Sequence, residues 1–210
     1  MTIGRMKIEA LKLMFLNARD LHEEELDELG ADQNYSDYLA AMPGCIHRAL
    51  QDIVVRRILP MKSREIVQSD GIRDGNVLRF SLRGIEDLFS VASVVCERDG
   101  IGSVRADFSV ENEELLLYRP YDGWRYRVVY YPALPEVSAA TPNEMAPDIP
   151  EPLLAAIPYY IKGELFTTDT PSNAGEADRA RAMYESVLAR YAQGSGGSRP
   201  ARVKTVFGRW

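Results

Sequence analysis

Val77-Leu78-Arg79-Phe80-Ser81-Leu82-Arg83 is the stretch on which the fold turns. Apolar side chains fall at every second position, so Leu78, Phe80 and Leu82 share one face of an extended chain while Arg79, Ser81 and Arg83 take the other. Before this point the apolar spacing is that of helices; here it becomes that of a strand. Val91 to Cys96 is a short apolar run suited to a buried strand, and Glu114 to Arg119 and Trp124 to Tyr131 follow it. Asp74-Gly75, Asp99-Gly100 and Asp122-Gly123 fall between these runs. Asp-Gly is a strong hairpin signal, because both residues tolerate the positive φ that tight turns require. Residues 63–131 therefore read as an antiparallel meander.

Residues 1–62 ahead of it read as helices. From Thr2 to Ala18, Met6, Ala10, Leu13 and Met14, with Leu21 beyond, lie near a 3.6 period. Glu23-Glu24-Glu25-Leu26-Asp27-Glu28 is a solvated loop or helix face, and Gly30 interrupts the pattern. Tyr35-Ser36-Asp37-Tyr38-Leu39 starts a second helical stretch, with Pro43 as the first-turn residue of a stronger helix after it. There Ile46, Ala49, Leu50, Ile53 and Val54 form an apolar stripe, Arg48, Gln51, Asp52 and Arg56 face water, and Pro60 is the stop.

Past the meander, residues 132–150 hold Pro132, Pro135, Pro142, Pro147 and Pro150. They form a crossover with no ladder of its own. Helix returns over 151–193: first from Glu151 to Phe166, with Pro158 kinking it or ending its first half, then behind the capping box Asn173-Ala174-Gly175-Glu176. That last helix runs through Ala180, Tyr184, Val187, Leu188 and Tyr191 to a stop at Gly194. Residues 194–210 then read as a Gly/Ser tether carrying Ala201-Arg202-Val203-Lys204-Thr205-Val206-Phe207-Gly208-Arg209-Trp210. Such a segment has too little area to fold alone and suits adding itself to a neighbouring surface. The fold class is α+β: helices, meander, helices and an extended carboxy-terminal arm.

The 210 residues carry a formal net charge of −6, which gives no general affinity for nucleic acid. Arg199, Arg202, Lys204 and Arg209 give the tail the opposite sign, suited to an acidic neighbour such as another copy. Cys45 and Cys96 read as buried reduced thiols. No apolar run approaches a membrane span, and the first residues lead into no signal-peptide core. The expectation is a soluble protein made in a reducing cytoplasm.

Catalytic motifs are not in view. His22 and His47 belong to no metal-ligand spacing, and His22 with Glu23 and Glu25 makes only a weak divalent-metal candidate. Gly100-Ile101-Gly102 is too short for a nucleotide loop, and no nucleophile elbow or Walker-type loop is present. The expectation is no enzyme, no cofactor and no metal. The eleven tyrosines suit both a sheet core, at Tyr126 and Tyr130 with Trp124, and interfaces. The residues with partner-binding chemistry are Arg202, Val203, Lys204, Thr205, Val206, Phe207, Arg209 and Trp210, the two aromatics as anchors.

Tyr38-Leu39-Ala40-Ala41-Met42-Pro43-Gly44-Cys45-Ile46-His47-Arg48-Ala49-Leu50-Gln51-Asp52-Ile53, the strand Val128-Val129-Tyr130-Tyr131-Pro132 and Leu153-Leu154-Ala155-Ala156-Ile157-Pro158-Tyr159-Tyr160-Ile161-Lys162-Gly163-Glu164-Leu165-Phe166 together resemble the head–tail connector, or neck adaptor, proteins of tailed bacteriophages and prophages. The closing Val206-Phe207-Gly208-Arg209-Trp210 is similar to the aromatic ends of some of them. The resemblance covers the chain from about Tyr35 onward. It implies a helical bundle with an inserted or appended sheet and a structural role in the virion neck, after synthesis in the bacterial host cytoplasm. The implied partners are the portal protein, other copies in a ring (a dodecamer in the virion) and a downstream neck or tail protein. DNA would pass through the channel without specific binding, and no membrane, cofactor or reaction is involved. The alternative is a non-virion prophage assembly module that binds a partner through its tail.

Overall fold

Two hydrophobic cores organise the described residues of the computed structural model, which are 1–15, 18, 20–98, 102–169 and 173–194. One core belongs to a helical unit built from Met1–Leu59 and residues 134–194, the other to a sheet unit, Pro60–Ala133.

The helical unit contains α1 (Ile3–Met14), α2 (Leu26–Ala31), α3 (Ser36–Val55), α4 (Glu151–Leu154), α5 (Ile157–Asp169) and α6 (Ala174–Gly194). α5 touches α1, α3 and α6, and none of its residues from 157 to 166 is exposed, the signature of a helix surrounded by partners. Gly163 permits that closeness: a Cβ there would lie 2.7 Å from Arg181 Cγ on α6. The proline-rich segment does structural work at the start of α1. Ile3 N–H donates to Met145 O and Gly4 N–H to Asn143 O, each at 2.8 Å, satisfying donors that a helix start leaves free. Thr2 Oγ1 accepts from Arg5 N–H at 3.1 Å.

Three helical expectations change. α1 ends at Met14, because Phe15 turns extended at φ −126 and ψ 129, four residues short of Ala18. Pro43 does not begin a helix; it lies inside α3, which runs unbroken from Ser36. A mid-helix proline removes one backbone bond, but Met42, Cys45 and Ile46 are buried on both sides of it and hold the helix on the core. α3 also stops before Pro60 acts, since Arg57 already takes a left-handed φ of 55. Pro158, by contrast, ends the first half as expected: α4 closes at Leu154, and Pro158 occupies the second position of α5, where its missing N–H costs nothing.

The sheet unit contains β1 (Lys62–Ile66), β2 (Ile72–Asp74), β3 (Val77–Ser81), β4 (Leu88–Arg98), β5 (Gly102–Arg105), β6 (Asp107–Glu111), β7 (Glu114–Tyr118) and β8 (Arg125–Pro132). All pairings are antiparallel, but the single meander is corrected to two four-stranded sheets, ordered β1-β8-β4-β5 and β2-β3-β7-β6. Both contribute to one core, with Leu78, Phe80, Leu115 and Leu117 from the second sheet meeting Val94, Cys96, Tyr126, Val128 and Tyr130 from the first. The chain crosses between the sheets at Ala106, whose N–H donates to Val94 O at 2.9 Å. Asp74-Gly75 does turn a hairpin, with Asp74 paired to Val77 and Gly75 at φ +57. Asp122-Gly123 does not: it joins β7 to β8, which lie in different sheets. Asp99-Gly100 lies outside the described residues. A hairpin without glycine appears instead at Asn112-Glu113, at φ 49 and 63, between the paired Glu111 and Glu114.

Candidate docking sites

The tail residues Arg202, Val203, Lys204, Thr205, Val206, Phe207, Arg209 and Trp210 lie outside the described residues. The last described residue before them is Gly194, where α6 ends. Pro152, Val187, Arg190, Tyr191 and Gly194 line an open recess at this end of the helix.

Ion pairs fasten α6 to the rest of the helical unit. Arg56, just past α3, places its two terminal nitrogens 2.6 Å from the two oxygens of Glu185, while its Nε lies 2.8 Å from Asp52 Oδ2. Such a fork is the strong geometry for a guanidinium and a carboxylate. Tyr184 OH donates to the same Asp52 oxygen at 2.9 Å. Its hydroxyl titrates well above the ordinary range, through burial first and then the Asp52 charge. Lys162 joins three elements: it donates to Leu13 O and to Glu176 Oε2, each at 2.7 Å, and sits 5.0 Å above the Phe166 ring. Hydrogen bonding from Arg56 holds the Glu185 carboxyl below its ordinary 4.5. A depressed acid stabilises fully above its unfolded value and ceases to as pH falls through its folded one. Stability measured between about pH 5 and 3 should therefore decline less steeply in Glu185→Gln than in the parent; parallel curves would show that the fork contributes nothing.

The sheet unit carries a different kind of site, on the loop that follows β7. Arg119 takes φ 52 immediately after Tyr118, a left-handed backbone that costs a non-glycine residue of order 1–3 kcal/mol. Its N–H donates to Asn76 O at 2.9 Å. Tyr126 OH closes the loop, accepting from Tyr121 N–H at 2.7 Å and donating to Tyr121 O at 3.1 Å. Gln68 Nε2 donates to Tyr121 O at 2.6 Å, and its Oε1 accepts from Gly123 N–H at 3.2 Å. Arg73 pairs with Asp122 at 2.5 Å. Burial pushes the Tyr126 hydroxyl up, so it stays protonated and able to donate. The pinned loop borders a recess of about 130 Å³ whose lining includes Arg105, Asp107, Tyr118, Arg119, Tyr121 and Tyr126. Tyr126→Phe should lower the unfolding free energy by about 1–3 kcal/mol, since it leaves buried partners unsatisfied. Hydrogen exchange at Tyr121 and Gly123 should quicken with it, and unchanged exchange would refute the pinning role.

Sequence marks Asp122-Gly123 as a turn and Tyr126 as sheet core but not the pinning of the loop, because Gln68 and Tyr121 are 53 positions apart and no motif spans them. The histidines have backbone duties: His22 N–H donates to Glu25 Oε2 at 2.6 Å, and His47 Nδ1 accepts from Val137 N–H at 3.4 Å. Among the described residues no group of three or more His, Cys, Asp or Glu could hold a metal ion, and no helix is long and apolar enough to cross a membrane. Cys45 and Cys96 are buried and free, one in each unit.

A family model described as SU10 adaptor protein matches residues 16–204, leaving out only the first fifteen and last six positions. No curated protein matches the chain.

Proposed function

The chain belongs to the SU10 adaptor protein family, a family of phage adaptors, and on that premise we propose that it is the head-to-tail adaptor in the neck of a tailed phage. Copies form a ring under the portal, a dodecamer in the virion, which extends the DNA channel and receives the next neck or tail protein. The helices are the bundle that gives each subunit its rigidity, and the tail is an arm that docks on the portal or a neighbouring copy. The role is structural, with no reaction and no cofactor.

The observation that carries this reading is the family match over nearly the whole chain. Charge is in keeping with it. Residues 1–59 and 134–194 hold nineteen acidic and eleven basic side chains, and an acidic surface does not retain passing duplex by counterion release. Five partner-binding expectations stand apart from the match, because Thr205, Val206, Phe207, Arg209 and Trp210 lie beyond its end at 204.

Deleting the gene in a producing phage should leave DNA-filled heads without tails, and adding the purified chain to those heads should restore joining. Mass spectrometry of parental virions should find the protein in ring stoichiometry. Normal tailed particles from the deletion would overturn the proposal and favour a non-virion assembly role.

A further inference from the structure

We propose that the recess beside Arg119 is a docking pocket for a single carboxylate, and that its occupant is an acidic side chain from the 23–28 segment of a second copy of the chain; the choice of occupant rests on the ring reading above. The recess, about 130 Å³, has room for one carboxylate and its adjoining methylene but not for a folded-in peptide. Its two cations have no carboxylate partner among the described residues, as is also true of Arg64 and Arg98, whereas several other cations of the unit are paired. Elsewhere in the sheet unit Lys62 pairs with Asp87, Arg73 with Asp122, Arg79 with Asp74, Arg83 with Glu113, and Arg127 with Glu97 and Glu65. Among the described residues Arg105 and Arg119 enter no ion pair; the one side-chain bond of Arg105 is from Nη2 to Ala92 O at 3.3 Å. Arg105 and Arg119 thus border one recess with most of their side-chain donors unspent.

The charge of the lining selects the anion. Asp107 also borders the recess and pairs with neither arginine, so the lining is one positive charge in excess. A single carboxylate brings it to neutrality, and a guanidinium fork matches that group in shape. A phosphate dianion or the backbone of DNA would bring more negative charge against Asp107 than the arginines balance. Tyr118 and Tyr121, 42% and 49% exposed, stand at the rim. Tyrosine and arginine are the residue types enriched where proteins meet proteins. The backbone that carries Arg119 is held in place, since the loop is fixed at Tyr121 and Gly123 and Arg119 takes φ 52.

The same chain offers the matching group. Glu24, Asp27 and Glu28 are exposed and form no ion pair among the described residues, while Glu23 and Glu25 are already used by Thr2 Oγ1 and His22 N–H. A ring places unlike surfaces of successive copies against each other, which is the geometry that brings an acidic segment of one to an arginine recess of the next.

The test titrates the full chain with a synthetic peptide of residues 20–31, by calorimetry and by NMR of the arginine side chains at low salt. The expected result is saturable binding that shifts Arg105 and Arg119, weakens at least about tenfold in Arg105→Gln with Arg119→Gln, and is lost when the peptide carries Glu24→Gln, Asp27→Asn and Glu28→Gln. Should the double variant melt earlier than the parent, Arg105→Gln alone carries the test. Peptide binding unaffected by the arginine substitutions, or no binding, overturns the pocket. Tighter binding there of inorganic phosphate or of a short DNA duplex overturns the carboxylate assignment. In particles, Arg105→Glu with Arg119→Glu should impair incorporation, and Glu24→Lys with Asp27→Lys and Glu28→Lys in the same chain should restore it. Parental rings without that rescue would refute the pocket and leave the adaptor reading standing.

Discussion

Phe207→Ala combined with Trp210→Ala is expected to give a folded protein, with the parental Tm, that fails to join portal-containing particles. Buried aromatic anchors contribute about 2 kcal/mol or more each to such contacts, so losing both weakens docking by a factor of roughly a thousand. The residues ahead of them keep the period-2 alternation of a strand, Val203 and Thr205 against Lys204 and Val206, and are left to lie along a sheet edge; what disappears is the hold at the end. Because a Gly/Ser tether raises local concentration within a ring, single substitutions should reduce incorporation only partly. Deleting residues 195–210 should likewise leave the Tm within a few degrees while abolishing joining. Full incorporation of the double variant with normal titre would end the docking-arm reading.

The largest effect on stability is expected at Leu50→Ala. Leu50 is 0% exposed in the middle of the α3 stripe, and removing such a side chain costs about 2–5 kcal/mol through lost burial and the cavity left behind. Val55, at the end of the same helix, is 63% exposed, and Val55→Ala should change stability by less than about 0.5 kcal/mol. Chemical denaturation of the two variants side by side measures the contrast. Equal losses would mean that the helical core is not organised as described.

Local patterns were legible where one residue's surroundings repeat with the element's own period. The α3 stripe and the alternation of Leu78, Phe80 and Leu82 are such cases, and all of these side chains are buried. Partnership was not legible. Period 2 says that a segment is a strand and is silent on which strand lies beside it, so Asp122-Gly123 looked like a hairpin when it carries the chain from one sheet to the other. β1, Lys-Ser-Arg-Glu-Ile, has four exposed residues and one half-buried; it is an edge strand defined by its ladder to β8, which no composition announces. Pro43 was misplaced because a local rule about helix starts yields to burial on both sides of the residue. The recess shows the same limit at a site. Arg105 and Arg119 sit on different strand ends and become neighbours only when β5 to β7 fold back, so no spacing in the sequence links them.

Lys62 and Tyr130 face each other across β1 and β8, near the two points where the chain enters and leaves the sheet unit. The whole Pro60–Ala133 segment is thus a loop whose mouth is held about 5 Å wide by its own ladder. For α5, which begins at residue 157 and must find α3, which ended at residue 55, the distance along the chain is effectively that of a short linker plus the proline-rich segment and α4. The entropy of closing the long loop is borne by β-pairing within the insert and not by the helical contacts. Folding speed falls as contacting residues lie further apart in sequence, and this arrangement relieves the helical unit of that burden. It also leaves the insert tolerant of changes in length and surface, so long as its first and last strands still pair.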